Sequence, residues 1–260
     1  MARFNEGTVE AGGRTLSFIE SGGDAAYPPL VLVHGSGGGK ESWLALLREL
    51  LAHTVRGIAL DLPGHGKSTG PGLQDIFSYS HVIESFVQAL GLQEPVLGGH
   101  SMGGGIALAC ALAFPEKLGG IALIGSGARL RVLPSILEGV RTRFSSGVDE
   151  IIEYSFSHRA PSDLVAEGRK KLLACPPEVV HGDFSACNAF DQMDKVDTVR
   201  LPALIVCGEE DKLTPPKYSA YLAVRIPGAS LCLVPEAGHM VMVEKPREVG
   251  EAVLNFLRRL

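Results

Sequence analysis

A serine flanked by glycines, Ser101 in Gly99-His100-Ser101-Met102-Gly103, is the first residue whose surroundings indicate chemistry. This G-x-S-x-G pattern follows a short apolar run and precedes a stretch of small and apolar residues, so we predict a turn from a strand into a helix. A serine in that turn has a strained backbone, and the flanking glycines remove the Cβ clashes that the turn would cause. The pattern predicts a nucleophile; a serine that only caps a buried helix is the alternative.

A serine hydroxyl is a weak nucleophile, so it needs a base and an orienting acid. One later apolar run ends in Glu209, Glu210 and Asp211, and another ends in a loop that contains His239. Because the carboxyl ends of parallel strands share one edge of a sheet, we expect Ser101, Asp211 and His239 to converge there. Their chain order of serine, acid and histidine fits this architecture.

Other residues compete for the two supporting roles. Glu209 or Glu210 could be the acid, with Asp211 only capping the turn before two prolines. His34, His65 and His100 also lie near predicted strand ends. His34 and His100 belong to glycine-rich turns, and we expect them to brace the backbone there.

A second glycine cluster, residues 31–43 with the sequence VLVHGSGGGKESW, has two interpretations. Such a loop can hold phosphate with help from a lysine, or it can aim an amide at an oxyanion. The phosphate motif G-x-x-x-x-G-K-[ST] fails at Lys40, because His34 replaces the first glycine and Glu41 replaces Ser/Thr. It fails again at Lys67, where Asp61 would repel phosphate. We therefore expect Lys40 to be exposed, just before a helix capped by Ser42.

Composition limits the class of protein. The chain has 260 residues, 45% of them hydrophobic and 20% charged, with a formal net charge of −5. These values predict one globular domain with no general affinity for nucleic acid or anionic membranes. Five cysteines without a C-x-x-C pair favour a reducing compartment, and the first residues lack the apolar core of a signal peptide, so we expect a cytoplasmic protein. Both a monomer and a homodimer are compatible with this composition.

The elements that must position these residues alternate along the chain. A predicted hairpin of residues 4–9 and 15–20 precedes short apolar strands separated by helices, which is typical of a mostly parallel, doubly wound α/β sheet. No strand is predicted between about Gly127 and Arg200. We interpret residues 127–200 as a helical cap inserted into a core made of residues 1–126 and 201–260.

Taken in order, five motifs resemble those of the α/β-hydrolase superfamily. They are HGSGG, DLPGHGKS, GHSMGG, GEEDKLTPP and AGHMVMVEKP, and they extend over nearly the whole chain. The resemblance implies an eight-stranded α/β-hydrolase fold, with Ser101 as nucleophile, Asp211 as acid and His239 as base. It also implies an oxyanion hole made by the amides of Ser36 and Met102, with Gly37 as the alternative to Ser36.

The motifs look most like the esterase, enol-lactonase and C–C-bond hydrolase branch. This resemblance implies hydrolysis of a small carboxylic ester without metal or organic cofactor. An enol-lactone or C–C-bond (diketone) hydrolase, a thioesterase and a ligand-binding relative without activity are the alternatives. Near the end of the cap, we expect Phe190 and Met193 to line the substrate pocket, because apolar side chains there can face the strand ends.

Overall fold

One eight-stranded sheet organises the computed structural model, which describes residues 4–23 and 26–260. The spatial order is β1-β2-β4-β3-β5-β6-β7-β8. Strands β1 and β2 form an antiparallel hairpin, β2 pairs antiparallel with β4, and every later pairing is parallel. This confirms the predicted fold class. The strands are β1 (Phe4–Ala11), β2 (Arg14–Ser21), β3 (Leu30–Val33), β4 (Gly57–Leu60), β5 (Val96–His100), β6 (Gly120–Ile124), β7 (Ala203–Gly208) and β8 (Ser230–Val234).

The five strands from β3 to β7 are buried along their whole length, as expected for strands covered on both faces. Ten α-helices accompany the sheet in the described chain. They are α1 (Leu44–Leu51), α2 (Ile76–Ala89), α3 (Met102–Ala113), α4 (Pro134–Thr142), α5 (Phe144–Ser155), α6 (Ser162–Ala174), α7 (Pro177–Ala189), α8 (Pro216–Arg225), α9 (Val241–Glu244) and α10 (Pro246–Leu257).

Two apolar cores lie on opposite faces of the sheet. Residues of α2, α3 and α8 form one core, and residues of α1 and α10 form the other. The sheet is therefore sandwiched between helices, and its carboxyl edge is left for the loops that follow the strands. Across the described ranges, no helix is both long and apolar enough to cross a membrane.

Helices α4 to α7 all lie in the segment between β6 and β7. Eight buried residues of this segment form an apolar cluster of their own, namely Ile136, Val140, Val148, Ile151, Leu172, Cys175, Val179 and Val180. The sequence pattern predicts helices over residues 133–144, 148–156 and 162–173 and gives no separate helix for α7, whose first residue is Pro177. The division of the chain into core and cap at residues 127 and 200 stays a prediction.

The start of the first helix differs from the prediction. A 3-10 turn spans Lys40–Trp43, and α1 begins only at Leu44. Trp43 is the N-cap and no side chain caps the helix, so Ser42 does not have the predicted role. The indole of Trp43 is fully buried, which holds this turn against the core.

Candidate active site

Ser101 lies in the sharp turn between β5 and α3. Its backbone angles, φ 53° and ψ −116°, are outside the regions that residues with a Cβ usually occupy. A Cβ on Gly99 would lie 2.0 Å from the carbonyl oxygen of Gly103, and one on Gly103 would lie 2.1 Å from that of Val33. Both flanking glycines are thus required by close backbone approach, as the G-x-S-x-G pattern predicted.

Hydrogen bonds to neighbouring strand ends hold this strained turn. The Ser101 amide donates to the carbonyl oxygen of Ile124 at 3.0 Å, and the Ser126 hydroxyl donates to the Ser101 carbonyl oxygen at 2.8 Å. Ser101 is only partly buried and lines two cavities. The fold therefore fixes the backbone and leaves the hydroxyl within reach of a ligand.

His239 and Asp211 meet at the same edge of the sheet. The Nδ1 of His239 lies 2.9 Å from Oδ2 of Asp211. The other carboxylate oxygen accepts the amides of Leu213 and Thr214 at 2.9 and 2.8 Å, and the Thr214 hydroxyl donates to Oδ2 at 2.8 Å. Since Asp211 orients Nδ1, the Nε2 of His239 is the nitrogen left for a substrate or a nucleophile.

Four interactions keep Asp211 ionised in spite of its burial. Burial alone would raise the pKa of Asp211, but the charge and hydrogen bond of His239 and the two donors of Thr214 outweigh it and lower the pKa. The competing acids lie elsewhere: Glu210 accepts from His158, with 2.6 Å between Oε2 and Nδ1, and Glu209 is exposed. Asp211 is therefore the acid that contacts His239.

His100 and His34 support the backbone, as expected. The Nε2 of His100 donates to the carbonyl oxygen of His239 at 2.9 Å. The Nδ1 of His34 donates to the Gly35 carbonyl oxygen at 2.8 Å, and its Nε2 accepts the Leu62 amide at 3.0 Å. Burial, together with the charge of a neighbouring histidine, lowers the pKa of His100 to about 3 and that of His34 to about 4. Both rings are thus neutral and structural.

The loop after β3 carries the predicted oxyanion-hole donors Ser36 and Gly37. The Gly37 amide donates to Oδ2 of Asp183 at 2.8 Å, so it is already committed to a buried carboxylate. Within the described part of the chain, no acceptor faces the Ser36 amide. The Gly37 amide thus has an acceptor within the protein and, among the described residues, the Ser36 amide has none, and Ser36 and Met102, the first residue of α3, stay the predicted pair of donors.

Asp183 is a residue that the sequence analysis missed. It lies in α7, is fully buried, and joins three parts of the chain. Besides the Gly37 amide, its carboxylate accepts from Nε2 of His65 at 2.9 Å and from the Tyr79 hydroxyl at 2.8 Å. Nothing in the local pattern around Asp183 distinguishes it from an ordinary helical residue, because its partners are more than 100 residues away in the chain.

His65 completes this network as a buried cation. Its Nδ1 lies 3.0 Å from the carbonyl oxygen of Pro63 and its Nε2 faces Asp183, so both nitrogens face acceptors and both carry a proton. Burial alone would lower the pKa of His65, but the hydrogen bond and the charge of Asp183, together with the neighbouring Cys175, raise it to about 10. A buried ion pair between His65 and Asp183 therefore ties α7 to the loop between β4 and α2.

Lys40 is buried, contrary to the expectation from the sequence. Its side chain is 1% exposed, and Nζ lies 2.6 Å from Oδ2 of Asp61. Asp61 also accepts the amides of Lys40 and Lys67 at 2.8 and 3.0 Å. The loop thus folds around a carboxylate of the protein, which occupies the amides that a phosphate would need.

Two cavities meet at Ser36 and Ser101. The first, about 110 Å³, includes His239, Ile151, Phe156 and Leu172; we call it the His239 cavity. The second, about 240 Å³, includes Arg131, Lys212, Lys217 and Tyr218; we call it the basic cavity. Phe184 and Leu213 line both. A molecule with its reacting group at Ser101 can therefore place one part in each cavity.

Phe190 and Met193, the predicted pocket residues, line neither of these cavities. Phe190 is 4% exposed and packs in the core beside Phe77, with 6.2 Å between ring centroids. Met193 lines a separate cavity with Tyr221, whose hydroxyl donates to its carbonyl oxygen at 3.1 Å. The assignment of Phe190 and Met193 to the substrate pocket stays a prediction, and residues of α4 to α8 supply the α-helical part of the lining of the two cavities beside Ser101.

The chain is similar to known proteins over nearly its whole length. Residues 30–252 match the model of the alpha/beta hydrolase family. The acetyltransferase component of the acetoin cleaving system of Pseudomonas putida is 30% identical, covering 96% of this chain and 69% of that protein. The 2-hydroxy-6-oxo-6-phenylhexa-2,4-dienoate hydrolase of Burkholderia cepacia is 25% identical, over 88% and 87% of the two chains. A solved thermophilic esterase superposes with a TM-score of 0.87, 32% identity and coverage of 99% and 98%.

Proposed function

The chain belongs to the alpha/beta hydrolase family, and on this premise we propose that it is a serine hydrolase of small carboxylic esters. One observation carries the proposal. Ser101 stands on a strained turn at the edge of the sheet where His239 is oriented by the buried, ionised Asp211, and Ser101 and His239 line one cavity. The similarity to a solved esterase over almost the full chain supports the ester as substrate.

The first half of the reaction forms an acyl-enzyme. His239 Nε2 takes the proton of the Ser101 hydroxyl as the oxygen attacks the ester carbonyl carbon, and Asp211 stabilises the imidazolium that results. The tetrahedral oxyanion accepts hydrogen bonds from the amides of Ser36 and Met102. Losing one such donor typically raises the barrier by ~2.7–4 kcal/mol. His239 then gives its proton to the departing alkoxide, which leaves as the alcohol.

The second half hydrolyses the acyl-enzyme. His239 removes a proton from water, the resulting hydroxide adds to the acyl carbon, and the same amides stabilise the second oxyanion. Collapse of this intermediate releases the carboxylic acid and returns the proton to Ser101. In this scheme, protein side chains and amides supply all the groups that act.

Replacement of the nucleophile tests the proposal. We expect Ser101→Ala to lose nearly all turnover of p-nitrophenyl esters and all labelling by a fluorophosphonate, while its circular dichroism and melting temperature stay close to those of the wild type. Ser146→Ala, at an exposed position of α5, is the matched control and keeps both activities. Ester cleavage that persists in purified Ser101→Ala would show that another group is the nucleophile.

A C–C-bond hydrolase is the second candidate, because a relative 25% identical to this chain acts as a dienoate hydrolase. Enol-lactones and thioesters are further substrates for the same three residues. Values of kcat/KM for a short p-nitrophenyl ester, a lactone, a thioester and a dienone acid distinguish these candidates. We expect the ester to have the highest value.

A further inference from the structure

The basic cavity has a charge that the proposed reaction does not use. Three basic side chains belong to its lining, Arg131, Lys212 and Lys217, and no Asp or Glu does. All three side chains are exposed. The rest of the lining is apolar or neutral, with Leu130, Val132, Ile136 and Phe184 among its residues. The lining of the cavity that opens on Ser101 therefore contains three positive charges and no negative charge.

None of these three cations has an acidic partner within the ranges that the structure describes. Neighbouring basic residues do: Arg129 lies 3.6 Å from Asp191, Arg141 lies 2.8 Å from Glu138, and Lys171 lies 3.7 Å from Glu167. Lys217 Nζ lies 5.9 Å from the ring centroid of Tyr218, but none of the three charges is neutralised by a carboxylate of the described chain, so together they attract an anion. In a chain with a net charge of −5, these three cations are distinguished by lining one cavity that no Asp or Glu lines.

The two cavities can be assigned to the two halves of an ester. The leaving alcohol receives its proton from His239, so it must lie in the His239 cavity, which His239 lines. His239 is not part of the basic cavity. Because both cavities contain Ser101, the acyl group then extends from the carbonyl carbon into the basic cavity.

We infer that the acyl group of the substrate carries a second, ionised carboxylate, which binds among Arg131, Lys212 and Lys217. The substrate class is the monoester of a dicarboxylic acid, and hydrolysis releases the dicarboxylic acid and an alcohol. The inference rests on the proposed serine-hydrolase function. The apolar lining would contact the methylene groups between the two carboxyl carbons.

A coenzyme A thioester does not fit this charge distribution. Its phosphates belong to the leaving group, which lies on the side of the His239 cavity. In the described lining of that cavity, Lys171 is the single lysine or arginine, and it lies 3.7 Å from Glu167. The cations are thus on the acyl side, where a carboxylate of the acyl chain would be.

A pair of esters that differ only in this charge tests the inference. The p-nitrophenyl monoester of adipic acid carries a free carboxylate, and p-nitrophenyl methyl adipate has the same chain with the carboxylate capped. We expect kcat/KM for the acid ester to exceed that for the capped ester by roughly tenfold, from three exposed charge interactions of ~0.2–1 kcal/mol each. The ratio should fall as sodium chloride rises from about 0.05 to about 0.5 M, because salt screens the attraction.

Charge-removing variants assign the effect to the cavity. Arg131→Gln, Lys212→Gln and Lys217→Gln should each lower the ratio by about 1.5- to 5-fold, and the triple variant should bring it close to one. Lys170→Gln removes an exposed charge from α6 outside both cavities and should leave the ratio unchanged. A wild-type ratio near one, or a ratio that Lys170→Gln lowers as much as the three cavity variants, would overturn the inference.

A binding measurement separates this inference from the proposed function. Calorimetry of Ser101→Ala with monomethyl adipate and dimethyl adipate reports the anion site without any reaction. Tighter binding of monomethyl adipate, lost in the triple variant, supports the anion site even if Ser101 is not the nucleophile. Equal binding of the two adipates refutes the anion site and leaves the serine-hydrolase proposal standing if Ser101-dependent ester cleavage is found.

Discussion

Asp183→Asn tests the importance of the buried ion pair with His65, which ties α7 to the loop after β4. The substitution keeps the size of the side chain and removes its charge. His65 then faces a neutral amide while its other nitrogen still faces the Pro63 carbonyl oxygen. Because all of these groups are buried, water cannot replace the lost partner.

Two arguments give similar magnitudes for the loss. Breaking a buried ion pair from one side typically costs about 3–5 kcal/mol. The pKa of His65 rises from 6.5 to about 10 on folding, which corresponds to about 5 kcal/mol at most for Asp183, since Cys175 contributes to the shift and a tenfold change in proton affinity is worth about 1.4 kcal/mol. Total stabilities of domains are roughly 5–15 kcal/mol, so Asp183→Asn should remove a large share.

The effect depends on pH with a definite sign. The folded-state pKa of His65 is raised, so its contribution is fully present below pH 6.5 and is lost as the pH rises through about 10. The free energy of unfolding of the wild type should therefore exceed that of Asp183→Asn by about 3–5 kcal/mol at pH 6.5 and by only about 1–2 kcal/mol at pH 9. The pKa values of His34 and His100 are lowered on folding, so these two histidines reduce the free energy of unfolding only as the pH falls below 6.5.

Urea unfolding at pH 6.5 and pH 9, followed by circular dichroism, measures these differences. Asp191→Asn is the control, because Asp191 is exposed and pairs with Arg129 at 3.6 Å; it should cost less than about 1 kcal/mol at both pH values. If Asp183→Asn is too unstable to purify, Tyr79→Phe removes one donor to the same carboxylate and the acceptor of the Leu73 amide, and it should cost about 1–3 kcal/mol. An equal loss for Asp183→Asn at pH 6.5 and pH 9 would refute the ion pair as its cause.

Two further substitutions test the acid and the buried lysine. Asp211→Asn should lower kcat by roughly 10⁴-fold, because an amide that keeps its contacts to Thr214 no longer stabilises the imidazolium. Glu210→Gln, at the competing acid, should change kcat less than about twofold. A larger loss of kcat in Glu210→Gln than in Asp211→Asn would assign the acid role to Glu210. Lys40→Met should cost about 3–5 kcal/mol in urea unfolding, because it leaves the carboxylate of Asp61 buried without its cation. Lys67→Met, at an exposed lysine 2.8 Å from Glu6, should cost less than about 1 kcal/mol, and equal losses would contradict the burial argument.

Local sequence patterns were enough to predict the fold class and to place Ser101, Asp211 and His239 at one edge of the sheet. Alternation of short apolar runs with helices specifies a parallel sheet, since strands buried on both faces have no polar side. The turn around Ser101 is encoded by its own glycines, because a Cβ on Gly99 or Gly103 would lie only 2.0 or 2.1 Å from a backbone carbonyl oxygen. Asp211 and His239 follow strand ends, so the topology alone places them at one edge. Their function in catalysis stays a prediction.

The interior partners required the tertiary structure. Lys40 looked like an exposed residue because its partner Asp61 is in another loop, and Gly37 looked available because Asp183 is 146 residues away. Phe190 looked like a pocket residue, although its ring packs against Phe77. In each case the deciding contact joins segments that are distant in sequence.

The sequence by itself thus determined the sheet, the strained turn of Ser101 and the edge that Asp211 and His239 share, because backbone sterics and hydrophobic periodicity act over a few residues. Only the tertiary structure decided which amide of the loop after β3 is free, and that three unpaired cations border one of the two cavities. The reason is physical: burial and charge pairing depend on how α4 to α7 pack against the sheet, and no short segment carries that information.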